Sequence, residues 1–253
     1  MSESEIEIEI GSETSGARAG CQLGVLAFGD SITHGGGELQ WGVALQSWAL
    51  WVARGLGLPF TSFAVDGARA PDVVAGQIPA FLARSAHPEA RYDVGCLYVG
   101  VNDVRAPDWD PFAFEADFRI GLEFLAQRCD RLLAVTAPLG LGLPRAPIKV
   151  SELDEIVQTV THELGGLLVD LRSLQARNLV MADRVHPTAF GQLSIAERAL
   201  AVLERDGLAP RVAPVSLISF QTTWWGRLRG DLTYAYRSLE HHARHRASRM
   251  VGR

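Results

Sequence analysis

Two short fragments of the chain carry side chains that could perform nucleophilic catalysis. Ser31 follows an apolar run and stands in the order Gly29, Asp30, Ser31, and a serine in such a tight turn can present its hydroxyl group to a substrate. Asp183 precedes His186 by three residues, so its carboxylate can fold back onto the imidazole Nδ1–H and leave Nε2 free to accept a serine proton. Together these groups could supply a nucleophile, a general base and a group that orients the base.

Each fragment also has a simpler interpretation. Gly-Asp-Ser is common in turns, and Asp183 with His186 could be a capping carboxylate and a surface histidine ahead of a helix. The same pair could ligate a metal ion, although no second cluster of histidine and aspartate supports a metal site. The glycines around Ser31 match neither a P-loop nor a dinucleotide-binding fingerprint. Neither fragment identifies a function by itself.

Two further residues could stabilise the oxyanion of an acyl-transfer reaction. Asn102 directly follows an apolar run, and its side-chain amide could donate a hydrogen bond to developing negative charge. Gly67 follows an earlier apolar run and could offer an unobstructed backbone N–H to the same oxygen. Asparagine after a strand is often only a turn former, so this role requires Asn102 and Gly67 to lie near Ser31.

Short apolar runs alternate with amphipathic stretches from residue 24 onward, which predicts strands followed by helices. The alternation indicates a parallel sheet with helices on both faces, a three-layer α/β/α sandwich with right-handed crossovers. The ligand site of such a sheet lies outside the carboxyl ends of its strands. The predicted strands are Val25–Phe28, Phe60–Val65, Val94–Val101, Leu132–Thr136 and Leu167–Leu171. One predicted helix face contains Trp41, Leu45, Trp48 and Val52.

In combination and in this order, the fragments resemble the four sequence blocks of the SGNH hydrolases, also called the GDSL lipase/esterase family. The resemblance covers roughly residues 24–205 and implies a flavodoxin-like fold with a five-stranded parallel sheet. It implies that Ser31 is the nucleophile, that His186 is the general base and then acid, and that Asp183 orients His186. It also implies an oxyanion hole made by the N–H of Ser31, Gly67 and Asn102. The matching blocks are Gly29-Asp30-Ser31, Gly67, Gly100-Val101-Asn102-Asp103 and Asp183-Arg184-Val185-His186.

The second block departs from the family pattern. Many members have an asparagine five residues before the glycine and often a serine directly before it, where this chain has Ser62 and Asp66. An ionised Asp66 that faced the oxyanion hole would oppose an anionic transition state. We expect Arg69 to be a partner for Asp66, and we expect His34 to be a loop residue without a catalytic role.

Composition predicts a globular protein without a membrane span. Of the 253 residues, 47% are hydrophobic and 21% are charged, and no apolar run approaches the ~20 residues that cross a bilayer. The N-terminal residues have neither the basic nor the apolar region of a secretory signal. Three widely spaced cysteines indicate neither a zinc knuckle nor a disulfide framework. We therefore expect a cytoplasmic protein that requires no metal or organic cofactor.

The charge is unevenly distributed and suggests three segments. Residues 206–253 contain eight arginines and three acidic residues, a balance of +5, whereas residues 1–205 have a balance of −10. We predict a disordered acidic leader over residues 1–20, a hydrolase domain over residues 21–207, and a linker with a basic amphipathic helix over residues 208–253.

The predicted C-terminal helix has three interpretations. Its apolar residues could dock onto the hydrolase domain or onto a second subunit, through contacts within residues 224–249. The helix could instead lie on an anionic membrane surface, which Trp224, Trp225 and the arginines would suit. Nucleic-acid binding is the least favoured, because no reader motif accompanies the charge. The sequence leaves the oligomeric state open.

The sequence thus predicts a serine ester hydrolase that acts on a small-molecule or lipid ester through an acyl-enzyme intermediate. An acyltransferase or a thioesterase could use the same groups. A non-catalytic scaffold attached through its basic tail is the hypothesis from another class, and a broken triad would favour it. All three triad residues are present, whereas the acyl and alcohol parts of the substrate do not follow from the sequence.

Overall fold

The computed structural model describes residues 23–39, 43–84, 91–142, 146–176, 178–218 and 223–251. Within these ranges a central sheet lies between two layers of helices, so the predicted three-layer α/β/α architecture is confirmed. The predicted leader, Cys21 and Trp41 lie outside the described residues.

Five parallel strands form the sheet, in the spatial order β2-β1-β3-β4-β5. Strands β1 and β3 are buried at every position, because helices cover both faces of a parallel sheet. The strand order reverses direction between β1 and β3, and ligands bind at such a point beyond the carboxyl ends of the strands. The strands are β1 Val25–Gly29, β2 Phe60–Ser62, β3 Tyr92–Tyr98, β4 Cys129–Val135 and β5 Leu167–Val169.

Helices connect the strands, and capping side chains determine where several of them begin. Asp110 precedes Pro111 and accepts hydrogen bonds from the N–H groups of Phe112 (2.9 Å) and Ala113 (3.2 Å), a favourable start for a helix. A π-helical turn, Val73–Gln77, precedes α4, and a 3₁₀ turn, Pro214–Leu217, precedes α8. The α-helices are α1 Ser31–His34, α2 Trp48–Leu56, α3 Ala70–Asp72, α4 Ile78–Arg84, α5 Pro111–Ala126, α6 Pro147–Glu163, α7 Ala189–Arg205 and α8 Trp224–Val251.

Helix α2 is shorter than the sequence pattern suggested. It begins at Trp48, because Ser47 caps it by accepting a hydrogen bond from the N–H of Ala49 (3.2 Å). Leu45 therefore precedes the helix and does not share a helical face with Val52. The prediction of one face that included Leu45 was wrong, because spacing alone does not distinguish a helix from the segment that leads into its cap.

The second strand also ends earlier than predicted, at Ser62 rather than Val65. The chain nevertheless stays beside β1, since the N–H of Phe63 donates to the carbonyl of Ala27 (2.9 Å) and the N–H of Val65 donates to the carbonyl of Gly29 (3.1 Å). This extension brings the second sequence block to the end of β1.

The segment between α7 and α8 packs against α2. The N–H groups of Arg211 and Val212 both donate to the carbonyl of Gly55, at 2.8 and 3.0 Å. None of the helices in the described ranges is long and apolar enough to cross a membrane.

Helix α8 directs its apolar stripe away from the α/β/α sandwich. We define the α8 stripe as Trp225, Leu232, Tyr236 and Leu239, whose exposed fractions lie between 63% and 72%. The opposite side of the helix faces the domain: Arg237 forms an ion pair with Glu38.

A small cavity of about 90 Å³ lies between Tyr234 and the loop that contains Met181 and Arg184. Tyr234 lies about 200° around the helix from Leu232. The C-terminal helix therefore contacts the rest of the chain through side chains outside the stripe. A second subunit or a membrane as the partner of the stripe stays a prediction.

Candidate active site

The turn after β1 presents Ser31 at the carboxyl end of the sheet. Gly29 has a positive φ of 149°, and a Cβ atom there would lie 2.3 Å from the carbonyl oxygen of Tyr98, so the position requires glycine. Asp30 accepts a hydrogen bond from the N–H of Ile32 (2.9 Å) and makes Ser31 the first residue of α1. Because the N–H of a first helical residue has no acceptor within its helix, that of Ser31 can serve another partner.

Two buried glutamines hold this turn on either side. Gln77 accepts a hydrogen bond from the N–H of Gly29 (2.9 Å) and donates its amide to the Gly29 carbonyl (2.7 Å). Gln192, in α7, donates its amide to the carbonyls of Ile32 (2.9 Å) and Gly36 (3.0 Å). Each glutamine is at most 2% exposed, so these bonds form without competition from bulk water. The two amides thereby determine where the backbone around the serine lies.

Neither glutamine is among the site residues that the sequence predicted, although a signal was present. Gln77 stands four residues after Val73 and four before Phe81, and all three are buried. A polar residue at a core-facing helical position needs hydrogen-bond partners inside the protein. That pattern could have identified Gln77 as a residue that binds backbone, without naming the segment it binds.

Ser31, His186 and Asp183 form a continuous hydrogen-bonded chain. The Ser31 Oγ lies 2.9 Å from His186 Nε2, and His186 Nδ1 lies 2.8 Å from Asp183 Oδ2. The other carboxylate oxygen of Asp183 accepts from the N–H groups of Val185 (2.9 Å) and His186 (3.1 Å). With Nδ1–H donating to Asp183, the Nε2 lone pair faces the serine hydroxyl, as a general base requires.

The loop that holds Asp183 against His186 contains a backbone strain that the sequence analysis did not foresee. Among the described residues, Arg184 is the non-glycine residue with positive φ, 59°, a conformation that costs about 1–3 kcal/mol. Its N–H donates to the carbonyl of Met181 (3.0 Å) and its carbonyl accepts from Gly142 (2.7 Å). The left-handed turn lets the carboxylate of Asp183 reach back to the imidazole three residues later.

Hydrogen bonding shifts the two titrating partners in opposite directions. The hydrogen bond to Asp183 raises the pKa of His186 above its ordinary value of 6.5, although burial of the ring lowers it. Burial disfavours the ionised form of Asp183, but the hydrogen bonds from His186 and Val185 outweigh it and lower the pKa of this carboxyl. The pair therefore favours an ionised aspartate beside a histidine of increased basicity.

Asp30 is a third acidic group close to these residues. Burial raises its pKa to about 7, against the opposing influence of the hydrogen bond from Ile32 and the charge of His186. Its Oδ2 atom has no hydrogen-bond partner among the described residues. A carboxyl in this environment favours the neutral form in the native protein.

Gly67 and Asn102 lie on neighbouring loops that are tied together. Gly67 has a φ of 76°, and a Cβ atom there would meet nothing within 4 Å. The backbone conformation, and not steric crowding at the Cβ position, therefore favours glycine here. The side-chain amide of Asn102 donates to the carbonyl of Ala68 at 3.0 Å. Since an amide carries two N–H donors, this bond orients Asn102 and leaves its second N–H for another acceptor.

Arg69 strengthens the connection between the two loops, but not through the partner we expected. Its guanidinium contacts Asp108 (3.1 Å) and Asp103 (3.7 Å), and the Asp103 carboxylate also accepts from the N–H of Ala70 (3.1 Å). The prediction that Arg69 pairs with Asp66 was therefore wrong. Arg69 has an extended backbone, with φ −107° and ψ 172°, directly before α3, and its side chain contacts the acidic loop after β3.

Asp66 instead pairs with His34, whose Nδ1 lies 2.8 Å from Asp66 Oδ1. His34 is the last residue of α1, so this contact joins the turn that carries Ser31 to the loop that carries Gly67. Both side chains are more than half exposed, and solvent screens their charges. His34 thus has a structural partner that its sequence position did not indicate.

Among the described residues, two cavities adjoin the loops that carry the candidate oxyanion donors. The first, of about 450 Å³, has mainly apolar walls and adjoins Gly67. The second, of about 400 Å³, adjoins Asn102 and is lined by Arg105 and Lys149 together with apolar side chains. Within the described ranges, no three His, Cys, Asp or Glu side chains converge as a metal site. The arrangement offers a nucleophile, a base, backbone and amide donors, and a cavity beside each of the two donor loops.

Comparisons with known proteins agree with this fold. A sequence model of the GDSL-like lipase/acylhydrolase family matches residues 27–193, whereas no curated protein matches the chain. Axe2, an acetylxylan esterase from Geobacillus stearothermophilus, has a TM-score of 0.54 at 20% identity over 72% of this chain and 96% of its own. LAE5, an α/β hydrolase enzyme from the metagenome of Lake Arreo, Spain, has a TM-score of 0.56 at 19% identity over 71% of this chain and 94% of its own. At these identities the likeness concerns the fold.

Proposed function

Because the chain belongs to the GDSL-like lipase/acylhydrolase family, and is therefore a carboxylic ester hydrolase, we propose that it cleaves its substrate through a covalent acyl intermediate on Ser31. Membership confirms the resemblance carried by the four sequence blocks. The observation that supports the proposed mechanism is the chain of hydrogen bonds from Ser31 Oγ through His186 to Asp183, with links of 2.9 and 2.8 Å.

In the first half-reaction, Ser31 Oγ attacks the ester carbonyl carbon while His186 Nε2 accepts the hydroxyl proton. The carbonyl oxygen becomes an oxyanion, and Asp183 stabilises the imidazolium that forms. Collapse of the tetrahedral intermediate breaks the bond to the alcohol oxygen, which takes the proton from His186. In the second half, water attacks the acyl group with the same base and restores Ser31 as the carboxylic acid departs.

The oxyanion would be held by the N–H of Ser31, the N–H of Gly67 and the second amide N–H of Asn102. The contacts that support this are the position of Ser31 at the start of α1 and the bond from Asn102 to the Ala68 carbonyl. Donors that are already oriented stabilise charge without reorganisation, and loss of one such donor typically costs about 10²–10³ in rate.

Acyl transfer and thioester cleavage would use the same intermediate. Transfer differs only in that an alcohol or amine, not water, attacks the acyl group. Adding an acceptor alcohol during hydrolysis and measuring a transferred ester distinguishes the two reactions.

The decisive variant is Ser31→Ala, because it removes the nucleophile and keeps the helix. We expect turnover of a short-chain aryl ester to fall at least about 10⁴-fold and labelling by a fluorophosphonate probe to disappear. Ser173→Ala, at an exposed serine, is the matched control and should retain both signals. Full activity in Ser31→Ala would refute the proposal, and absence of labelling in the parent protein would favour a non-catalytic scaffold.

A further inference from the structure

The cavity beside Asn102 has a chemical character that ester hydrolysis alone does not require. Two cationic side chains, Arg105 and Lys149, line it together with Val104, Leu141 and Val150. None of the described residues that line this cavity is acidic. The cavity on the Gly67 side differs, since Asp66 and Asp72 are among its lining residues.

Neither cation is neutralised by the part of the chain that the structure describes. No carboxylate oxygen within the described ranges lies within 4.0 Å of Arg105 or Lys149. Lys149 is moreover the sole lysine of the chain, which carries a net charge of −5. In a protein with an acidic excess, two cations in one cavity that have no carboxylate partner among the described residues form a local exception, and such a pair suits an anionic ligand group.

We propose that the substrate is an ester whose alcohol part carries an anionic group, a carboxylate or a phosphate, bound by Arg105 and Lys149. This inference rests on the proposed function, because the alcohol part is defined by the bond that Ser31 would break. A guanidinium binds either anion with two parallel hydrogen bonds, and an ammonium adds a point charge.

The path of the proton indicates which of the two cavities receives the alcohol part of the ester. His186 Nε2 must deliver its proton to the departing alcohol oxygen, so the alcohol part lies on the His186 side of the carbonyl. The loop of Leu141, which lines the cavity beside Asn102, is bonded to the loop that carries His186, because the N–H of Gly142 donates to the carbonyl of Arg184 (2.7 Å). The cavity that contains Arg105 is therefore the one that the alcohol part enters, whereas the apolar cavity beside Gly67 suits the acyl part.

The test compares esters that differ only in charge. The pair 4-acetoxybenzoate and methyl 4-acetoxybenzoate examines a carboxylate, and 4-acetoxyphenyl phosphate with its dimethyl ester examines a phosphate. We expect kcat/KM to be higher for the anionic member of at least one pair. In Arg105→Gln and in Lys149→Gln, the ratio of anionic to neutral kcat/KM should fall about tenfold, as expected for loss of a charge-assisted hydrogen bond.

Arg205→Gln removes an exposed charge at the end of α7 and serves as the control, whose ratio should match the parent protein. Calorimetric binding of 4-hydroxybenzoate and its methyl ester repeats the comparison without turnover. If neutral esters are hydrolysed and both cavity variants leave the ratio unchanged, the anion proposal is wrong and the proposed function stands. If no ester is hydrolysed and Ser31 is not labelled, the proposed function is wrong, and calorimetry alone then decides whether the cavity binds the anion.

The outward orientation of the α8 stripe independently supports a second inference. An isolated helix in water would not favour exposing four large apolar residues on one side. The helix contains six arginines and only two acidic residues, a net charge of +4, and Arg229 lies at the edge of the stripe in helical projection. A basic polar side opposite exposed Trp and Leu side chains is typical of helices that lie in a membrane interface.

We infer that α8 docks onto a lipid surface that contains anionic lipids. Two copies packed stripe to stripe would bring two helices of charge +4 together, whereas an anionic bilayer attracts the net positive charge of the helix and accepts the apolar side chains. Because α8 contacts Glu38 and adjoins the cavity at Arg184, docking would hold the loops beside Ser31 and His186 near the membrane.

Co-sedimentation of the full chain with vesicles tests this docking. We expect binding to vesicles of phosphatidylcholine and phosphatidylglycerol, with at least tenfold weaker binding to phosphatidylcholine alone and at high salt. Combining Trp225→Ser with Leu232→Ser should abolish binding. The control combines Phe112→Ser with Ile148→Ser, which changes two equally exposed apolar residues of the hydrolase domain, and should bind normally. No binding to anionic vesicles, or a dimer in sedimentation velocity that the stripe variant dissociates, would overturn the inference.

Discussion

Replacing Gln77 by methionine tests whether a buried amide holds the serine turn in place. Methionine keeps the length and flexibility of the side chain but neither donates nor accepts. The N–H of Gly29 then loses its acceptor in a buried position, whereas the Gly29 carbonyl retains the bond from Val65 (3.1 Å). One orphaned donor costs about 1–3 kcal/mol and the second lost bond about 0.5–1.5 kcal/mol, so we expect a loss of roughly 2–4 kcal/mol in unfolding free energy.

The same change should slow catalysis, because Gly29 lies two residues before Ser31. A shift of about 1 Å in a reacting group can reduce the rate about 10²-fold. We therefore expect kcat to fall by about 10- to 100-fold while KM changes little. Urea denaturation measures the first effect and steady-state kinetics with an aryl ester the second.

Gln127→Met is the matched control, because Gln127 is exposed at the end of α5 and its change should leave both quantities within error. If Gln77→Met unfolds at the same urea concentration and turns over substrate at the parent rate, strand pairing alone holds the turn. That result would refute the role assigned to the amide.

Three further predictions concern charge. Hydrogen bonding to Asp183 raises the pKa of His186 above 6.5, so kcat/KM should fall as the pH drops through that raised value. Asp183→Asn should move the acidic side of the pH–rate profile to lower pH. An unchanged profile would contradict the assignment of His186 as the base. Burial raises the pKa of Asp30 to about 7 in the native protein, whereas the same carboxyl loses its proton above about pH 4 in the unfolded chain. The unfolding free energy should therefore decline as the pH rises from about 4 to about 7. Asp30→Asn, which keeps a capping acceptor, should flatten that decline in urea denaturation between about pH 4 and 7. Asp66→Asn should raise kcat about two- to fivefold, because it removes a screened negative charge beside Gly67. An unchanged kcat would show that the charge of Asp66 does not destabilise the oxyanion.

The contacts that the sequence predicted well are local or follow from the regular geometry of the sheet. Asp183 and His186 are three residues apart, so a single turn brings their side chains together. Buried apolar runs predicted the strands, and the carboxyl ends of parallel strands necessarily lie at one edge of the sheet. Ser31, Gly67 and Asn102 could therefore be expected near one another before any distance was known.

Contacts between distant residues were not predictable in the same way. Gln77 binds a residue 48 positions earlier, and Gln192 binds one 160 positions earlier. Arg69 has several acidic residues within reach of its long side chain, and only the backbone path after Gly67 selects Asp108 and Asp103 over Asp66. Spacing in the chain contains no information about such choices.

By itself, then, the sequence determined the α/β/α architecture, the family, and the residues that could act as nucleophile, base and oxyanion donors. The architecture follows from local hydrophobic patterns, and the family and the candidate residues follow from short blocks in a defined order. Only the tertiary structure decided which charges remain unpaired beside Asn102, which amides hold the serine turn, and which side of α8 faces solvent. These properties depend on how separately formed elements pack, and packing is determined by the whole set of burial and hydrogen-bonding requirements rather than by any one segment.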